Sequence, residues 1–331
     1  MGFEVKCRGD ITMKFELVIQ HGGKYYAPLV SDGVTWTTDR RGSPGKLTFT
    51  IIKDRMINFT EGNPVRLTVD GKNLFFGFVF TKKRDKKQHI DVTAFDQLRY
   101  LSNKDTYVYT NKTASDVIKM IAADFRLNLG AIEQTGFRIA SRVEDNSTLF
   151  DIIYNALDLE LTNKKQMFVL FDDFGKLTLR SLDNMKIPLL IDEETGENFD
   201  YSSSINDQTY NKIKLSRENE NTGKRDVFIA QDGKHMNDWG VLQHYDTLQE
   251  GETGQVKVNA LLSLYNTKTR KLKISKAFGD TRVRAGSMVV VKLALGDVDV
   301  QNYMLVEKCV HTFNESEHWM DLTLRGGEFV A

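Results

Sequence analysis

Cysteine is nearly absent: Cys7 and Cys309 are the only two in 331 residues. Two thiols build neither a disulfide framework nor a thiolate zinc site, and both lie in alternating apolar segments, so buried, inert side chains are expected. Proline is also scarce, at four residues, and no proline- or serine-rich linker divides the chain. Any domains should therefore pack closely or interleave in sequence. No run of about 18 apolar residues occurs, so no membrane-spanning helix is expected. Met1 to Asp10 is short and charged, unlike a signal peptide, and Lys6 stands where a myristoylation signal needs Ser or Thr. Synthesis and folding in a cytoplasm are expected. Excess charge of one sign is missing too, with 45 Lys and Arg against 45 Asp and Glu. General binding to nucleic acid or membrane surfaces is not suggested, and no net repulsion would keep copies apart.

What is present is enough apolar sequence, 40%, for well-packed cores, in a chain long enough for two to four domains. Residues 1–95 read as all-β. Leu47, Phe49 and Ile51 alternate with Thr48 and Thr50, and Val65, Leu67 and Val69 with Arg66 and Thr68; Asp70-Gly71 is a turn signal. The run Leu74, Phe75, Phe76, Gly77, Phe78, Val79, Phe80 is apolar on both faces. A strand of that kind is usually covered on both, by a core on one side and an interface on the other. Phe75 and Phe76 point to opposite faces, so one is expected in the core and the other at a contact between subunits. The basic run Lys82, Lys83, Arg84, Lys86 and Lys87 follows. It lacks the interleaved aromatics of a single-stranded nucleic-acid site, so it reads as a solvated hairpin tip or as a rim contact with an acidic neighbour.

Residues 96–185 change to a small α/β domain. Thr113-Ala114-Ser115-Asp116 resembles a helix-capping box, and Ala114, Val117, Ile118, Ile121, Ala122 and Phe125 then share one helical face. A second helix is expected after Asn146-Ser147-Thr148, and a hairpin around Asp172 to Lys176. From 186 onward the chain returns to β, with a partly helical insertion at 216–271. The second β-unit is thus expected at 186–215 and 272–331.

The two β-units echo each other. Gly62-Asn63-Pro64-Val65, Phe76-Gly77-Phe78-Val79 and Asp91-Val92-Thr93 are answered by Gly286-Ser287-Met288-Val289, Tyr303-Met304-Leu305-Val306 and Asp321-Leu322-Thr323. Each copy reads strand, turn, strand, polar tip, strand. A duplicated β-unit lets a trimer present six like positions.

Catalytic chemistry finds little support. Asp172-Asp173 is accounted for by a hairpin turn and Asp192-Glu193-Glu194 by a solvated loop. His311, His318 and Asp321 are metal-ligand residue types, but their spacing fits no zinc pattern, and they read as ordinary strand residues. Gly326-Gly327 has no following helix to make a phosphate loop. No cofactor, metal or catalytic residue is expected. Three classes remain open on residues alone: a structural protein, a cell-wall hydrolase, and a carbohydrate-binding β-protein using Trp36, Trp239 or Trp319.

The order of several short segments is more specific. Ala94-Phe95-Asp96-Gln97-Leu98-Arg99-Tyr100-Leu101-Ser102 precedes Tyr109-Thr110-Asn111-Lys112-Thr113-Ala114-Ser115-Asp116; Asn146 to Ile153, Asp172 to Leu177, Ile205 to Ile213 and Arg284-Ala285-Gly286-Ser287 follow. This order resembles the baseplate hub proteins of phage tails, in particular hubs of contractile tails from Gram-positive hosts, as in PBSX-like defective prophages and phage-tail-like bacteriocins. The resemblance implies a mainly β protein with two tube-like β-barrel domains and an α/β middle domain. It implies a homotrimer whose pseudo-six-fold ring joins a hexameric tail tube protein to a trimeric spike protein among other baseplate proteins, in the virion tail. It implies packing rather than catalysis; peptidoglycan hydrolysis at the tail tip is the alternative. Residues 216–271 match the family only loosely.

Overall fold

Residues 13–54, 56–192, 194–206, 208–219, 223–248, 253–294, 299–314 and 317–326 are described by a computed structural model. Cys7, Glu193, Gly327 and the start of the chain lie outside these residues.

Period-two alternation gives seven strands in the first third: β1 (Phe15–His21), β2 (Lys24–Tyr26), β3 (Val30–Asp39), β4 (Lys46–Ile52), β5 (Pro64–Val69), β6 (Lys72–Arg84) and β7 (His89–Phe95). All pair antiparallel in the order β3-β4-β7-β6-β5-β1-β2. The alternating residues Leu47, Phe49, Ile51, Val65, Leu67, Val69, Val92 and Ala94 face one core. Asp70 and Gly71 make the expected β5–β6 turn, both with positive φ.

The middle third carries β8 (Lys104–Lys112), α1 (Ala114–Asp124), β9 (Leu129–Ile132), β10 (Ile139–Thr148), α2 (Leu149–Lys164), β11 (Phe168–Asp172) and β12 (Leu177–Ser181). The capping box forms: Asp116 N–H donates to Thr113 Oγ1 and Thr113 N–H donates to Asp116 Oδ2. Every apolar position expected on the inner face of α1 from Ala114 to Ala122 is buried, in a core shared with α2.

The last part holds β13 (Lys186–Ile191), β14 (Asn198–Ser204), β15 (Lys212–Asn219), β16 (Lys224–Gln231), α3 (Gly233–Trp239), β17 (Gln243–Thr247), α4 (Gly254–Tyr265), β18 (Thr269–Phe278), β19 (Met288–Ala294), β20 (Asp299–Phe313) and β21 (His318–Gly326). The helix expected around Val256 to Tyr265 is α4. The apolar residues Ile213 and Leu215 of β15 pack under α4 in a separate sheet of order β16-β15-β17, rather than with the second β-unit.

The remaining strands join β1–β7 in one 13-stranded network through β20. One edge of this strand pairs with β19 over Asp299–Leu305 and then with β3 over Lys308–Phe313, while the other edge pairs with β21. The main path runs from β14 to β2 and does not close on itself. The protein is mainly β, as expected, but no closed barrel is present among the described residues; β3, which could have turned back toward β1, is spent on β20.

Within this network the echo has a structural counterpart. The meander β5–β6–β7 and the meander β19–β20–β21 have the same strand order and direction. A bulge interrupts both at one place, between Val79 and Thr81 and between Val306 and Lys308. Gly62 N–H donates to Val79 O and Gly286 N–H to Val306 O, each at 2.7 Å; Val79 N–H donates to Asn63 O and Val306 N–H to Ser287 O, each at 2.9 Å. Beyond the third strand the order continues alike, β7-β4-β3 and β21-β18-β14, all antiparallel. On the other side the repeat breaks: β1 is antiparallel to β5, whereas β13 is parallel to β19.

Candidate assembly surface and buried polar junction

Strand β6 has the two faces its sequence implies. Leu74, Phe75 and Val79 are buried in the first core, with Phe75 only 2% exposed. Phe76, Phe78 and Phe80 turn to the other face and are half-buried. Their cover comes from the same chain: Phe174 lies 5.8 Å from Phe76, and Tyr100 lies 6.5 Å from Phe78 and 6.2 Å from Phe80 between ring centroids. Arg99 stands over the Phe80 ring at 5.7 Å. The middle third thus caps this aromatic face in part. It does the same at the corresponding place on the second meander, where Val169, Phe171, Leu182 and Met185 pack on Met288 and Leu305.

At the tip, Lys82 folds back, its ammonium donating to Phe59 O at 2.6 Å and lying over the Phe59 ring. Lys83, Arg84, Lys86 and Lys87 are exposed. Asp85 turns to His89, accepting from its backbone N–H at 2.8 Å. Past Val79, β6 pairs with β7 alone among the described strands, which leaves the edge of Phe80–Arg84 open. Its counterpart on β20 is filled by β3.

The β3–β20 joint is where His311 sits, fully buried between Trp36 and Phe313 at ring distances of 5.1 and 5.7 Å. Its Nε2–H donates to Val283 O at 2.8 Å, which a carbonyl can only accept. Nδ1 is therefore the acceptor, and His318 Nε2–H donates to it at 2.8 Å. Both rings are neutral in this arrangement. Burial, then the neighbouring His318, pushes His311 down to about 3; burial pushes His318 down to about 4. The unfolded chain takes up protons first, near the ordinary 6.5. Stability from the pair is thus present in full above pH 6.5 and is lost as pH falls toward 4. His311 alone should cost about 1.4 kcal/mol per pH unit in that window. Urea midpoints at pH 7 and pH 5 should therefore fall further for the native chain than for His311→Phe; equal falls would contradict the arrangement.

A second polar cluster lies where the first β-unit, the middle third and the β18–β19 connection meet. Asp96, 3% exposed, accepts from Gly45 N–H at 2.9 Å and from Leu98 N–H at 3.0 Å. Asp172, 5% exposed, accepts from Gly175 N–H at 2.7 Å and from Gln97 Nε2 at 2.9 Å. Burial, and for Asp96 also the facing Asp172, holds both carboxyls above the ordinary range. Arg284 offsets them in part: its guanidinium stacks on Phe171 at 4.2 Å and on Trp36 at 5.8 Å. The sequence assigns Asp172 to a hairpin turn. The turn is there, but this carboxylate points inward, and no sequence signal marks Asp96 and Arg284 as its neighbours.

The other chemical candidates are dispersed. His318 bonds His311, whereas Asp321 Oδ1 accepts from Lys276 N–H at 2.8 Å. No group of three His, Cys, Asp or Glu could hold a metal ion among the described residues. Burial pushes the Cys309 thiol up. Trp36 is buried, Trp239 stacks on His235 and Trp319 on Phe278, so the three indoles have separate partners. No helix among the described residues is long and apolar enough to cross a membrane.

A family model described as YQBQ-like matches residues 34–325. "Phage-like element PBSX protein XkdQ" of Bacillus subtilis (strain 168) is 31% identical over 307 residues, covering 89% of this chain and 92% of that protein. The 43 kDa tail protein of prophage MuSo2 from Shewanella oneidensis superposes with a TM-score of 0.67 at 12% identity, over 93% of this chain and 98% of its own. The E. coli c3393 protein is described as a component of the type VI secretion system with structural similarity to the T4 tail proteins gp27 and gp5. It superposes with a TM-score of 0.57 at 9% identity, over 95% of this chain and 78% of its own. Both solved structures share this fold.

Proposed function

The chain belongs to the YQBQ-like family, and on that premise we propose that it is the structural hub of a contractile phage tail or tail-like particle. Three copies form a homotrimer. Each contributes two tube-like β-modules, one from β1–β7 and one from β13, β14 and β18–β21, so that six like positions surround a common axis. The ring stacks under a hexameric tail tube protein and receives a trimeric spike protein on its other side, among other baseplate proteins at the tail tip.

The observation that carries this reading is the repeated meander, with one bulge and one positive-φ glycine contact at matched places in each copy. In a trimer a duplicated module supplies the six-fold match that a hexameric tube requires. The role is packing, and the buried carboxylates at Asp96 and Asp172 tie segments of the chain together. A peptidoglycan hydrolase gains no support from their placement, because both are enclosed and already accept backbone and amide hydrogen bonds. Leu74 and Phe75 serve the module core. Phe76, Phe78, Phe80 and the tip residues Lys82, Lys83, Arg84, Lys86 and Lys87 line the side at which a neighbour arrives.

Light scattering on the purified chain tests this. A mass of three 37.8 kDa chains at high protein concentration is expected. A single-chain mass at every concentration, with and without the tube protein, would overturn the trimer.

A further inference from the structure

Among the described strands, the outer edge of β14 and the end of β6 past its bulge both lack a partner, and a contact within the chain offers a pattern for joining them. Inside one copy, the first module reaches the second through β3. Its residues Val34–Asp39 pair antiparallel with Phe313–Lys308 on β20, just past the bulge. In the second module the strand at the place of β3 is β14, at the end of the order β21-β18-β14. In the first module the segment at the place of Lys308–Phe313 is the end of β6, just past its own bulge. Neither has a partner on its outer edge among the described strands. Both are exposed: Phe199 on β14 is 43% exposed, and Ser202, Ser203, Thr81, Lys83 and Arg84 are exposed as well.

We propose that β14 of one copy adds to the open edge of β6 in a second copy of this chain, repeating between chains the contact that β3 and β20 make within one. The inference rests on the trimer proposed above and names the contact that builds it. The register follows from the two ladders. Thr35 and Asp200 face Thr48 and Lys273, which in turn face Thr93 and Thr323, and these pair with Thr81 and Lys308. Lys308 pairs with Asp39, Val310 with Thr37 and His311 with Trp36. Thr81 then meets Ser204, Lys83 meets Ser202 and Arg84 meets Tyr201 across the chains. Asp200 falls diagonal to Lys83, which places a carboxylate beside the basic tip. The loop before β5 lies beside this part of β6, Phe59 O accepting from the Lys82 ammonium. Its counterpart before β19 lies against β20 in the same way, Val283 O accepting from His311, while β3 still pairs there. Used between copies, the contact joins unlike edges head to tail, and a ring of such contacts leaves neither edge exposed.

Paired cysteines test the register. Arg40 N–H bonds Glu307 O, so that pair is hydrogen-bonded, and alternation makes Thr37–Val310 a non-hydrogen-bonded pair. Cα atoms in such pairs lie about 4.5 Å apart, within reach of a disulfide. Lys83 and Ser202 hold the matching positions. Full-length Lys83→Cys/Ser202→Cys should oxidise to covalent dimers and trimers, and neither single variant should. Thr37→Cys/Val310→Cys, the same geometry within one chain, should close without joining chains. If the protein is trimeric by light scattering and the control pair closes, yet Lys83→Cys/Ser202→Cys stays uncrosslinked, this contact is wrong while the trimer stands. If the protein is never trimeric, both fail together.

Discussion

Phe313→Ala is expected to destabilise the protein by about 3–5 kcal/mol, read as a lowered urea midpoint. Phe313 is the last residue of β20, yet it is fully buried in the core of the first module, among residues between Leu17 and Ala94. It also stacks on His318 at 4.3 Å. Truncation opens a cavity at the joint between the two modules, where rigid ladders on each side limit collapse into the space. Phe278→Ala is the matched control. Phe278 is 60% exposed on β18, which β21 separates from β20, so its loss should cost less than about 1 kcal/mol. Equal losses would show that Phe313 does not serve as the link.

Gly286→Ala is expected to cost about 3 kcal/mol and Gly62→Ala about 1–2 kcal/mol, although the two glycines occupy matched places. Both have positive φ, +84° at Gly62 and +92° at Gly286, where an alanine is strained. The difference lies in what surrounds them. A Cβ on Gly62 meets nothing within 4 Å, whereas one on Gly286 overlaps Val169 Cγ1 of the middle third. Shortening the neighbour separates strain from crowding: Val169→Ala should recover part of the loss in Gly286→Ala and none in Gly62→Ala. Identical costs at the two sites, or no recovery, would contradict the packing of the middle third on the second module.

Local features were legible in the sequence wherever a short segment determines its own structure. Alternation in Leu47–Ile51 and Val65–Val69, the Asp70-Gly71 turn and the Thr113–Asp116 capping box each depend on neighbours a few residues away, and each formed. The echo between Gly62–Thr93 and Gly286–Thr323 was legible for the same reason. Pairings set by distant residues were not. Nothing in Lys308–Phe313 says that its free edge will take β3, because an edge is completed by backbone groups that every residue carries. Nor could the alternation of Ile213 and Leu215 reveal which of two sheets β15 would join. The two-sided apolarity of Leu74–Phe80 did report a covered outer face, but not that Phe174 and Tyr100 of the same chain supply part of the cover. Asp172 shows the limit most clearly. Turn chemistry at Asp172–Lys176 was readable, whereas its burial beside Asp96 depends on residues 76 positions apart coming together.

Electron microscopy of negatively stained full-length protein tests the central claim most directly, because symmetry and module count appear in one image. Class averages should show a closed ring of three-fold symmetry with six like lobes around a central opening. Single-chain particles at every concentration, an open filament, or a ring without six similar lobes would contradict the duplicated-module hub.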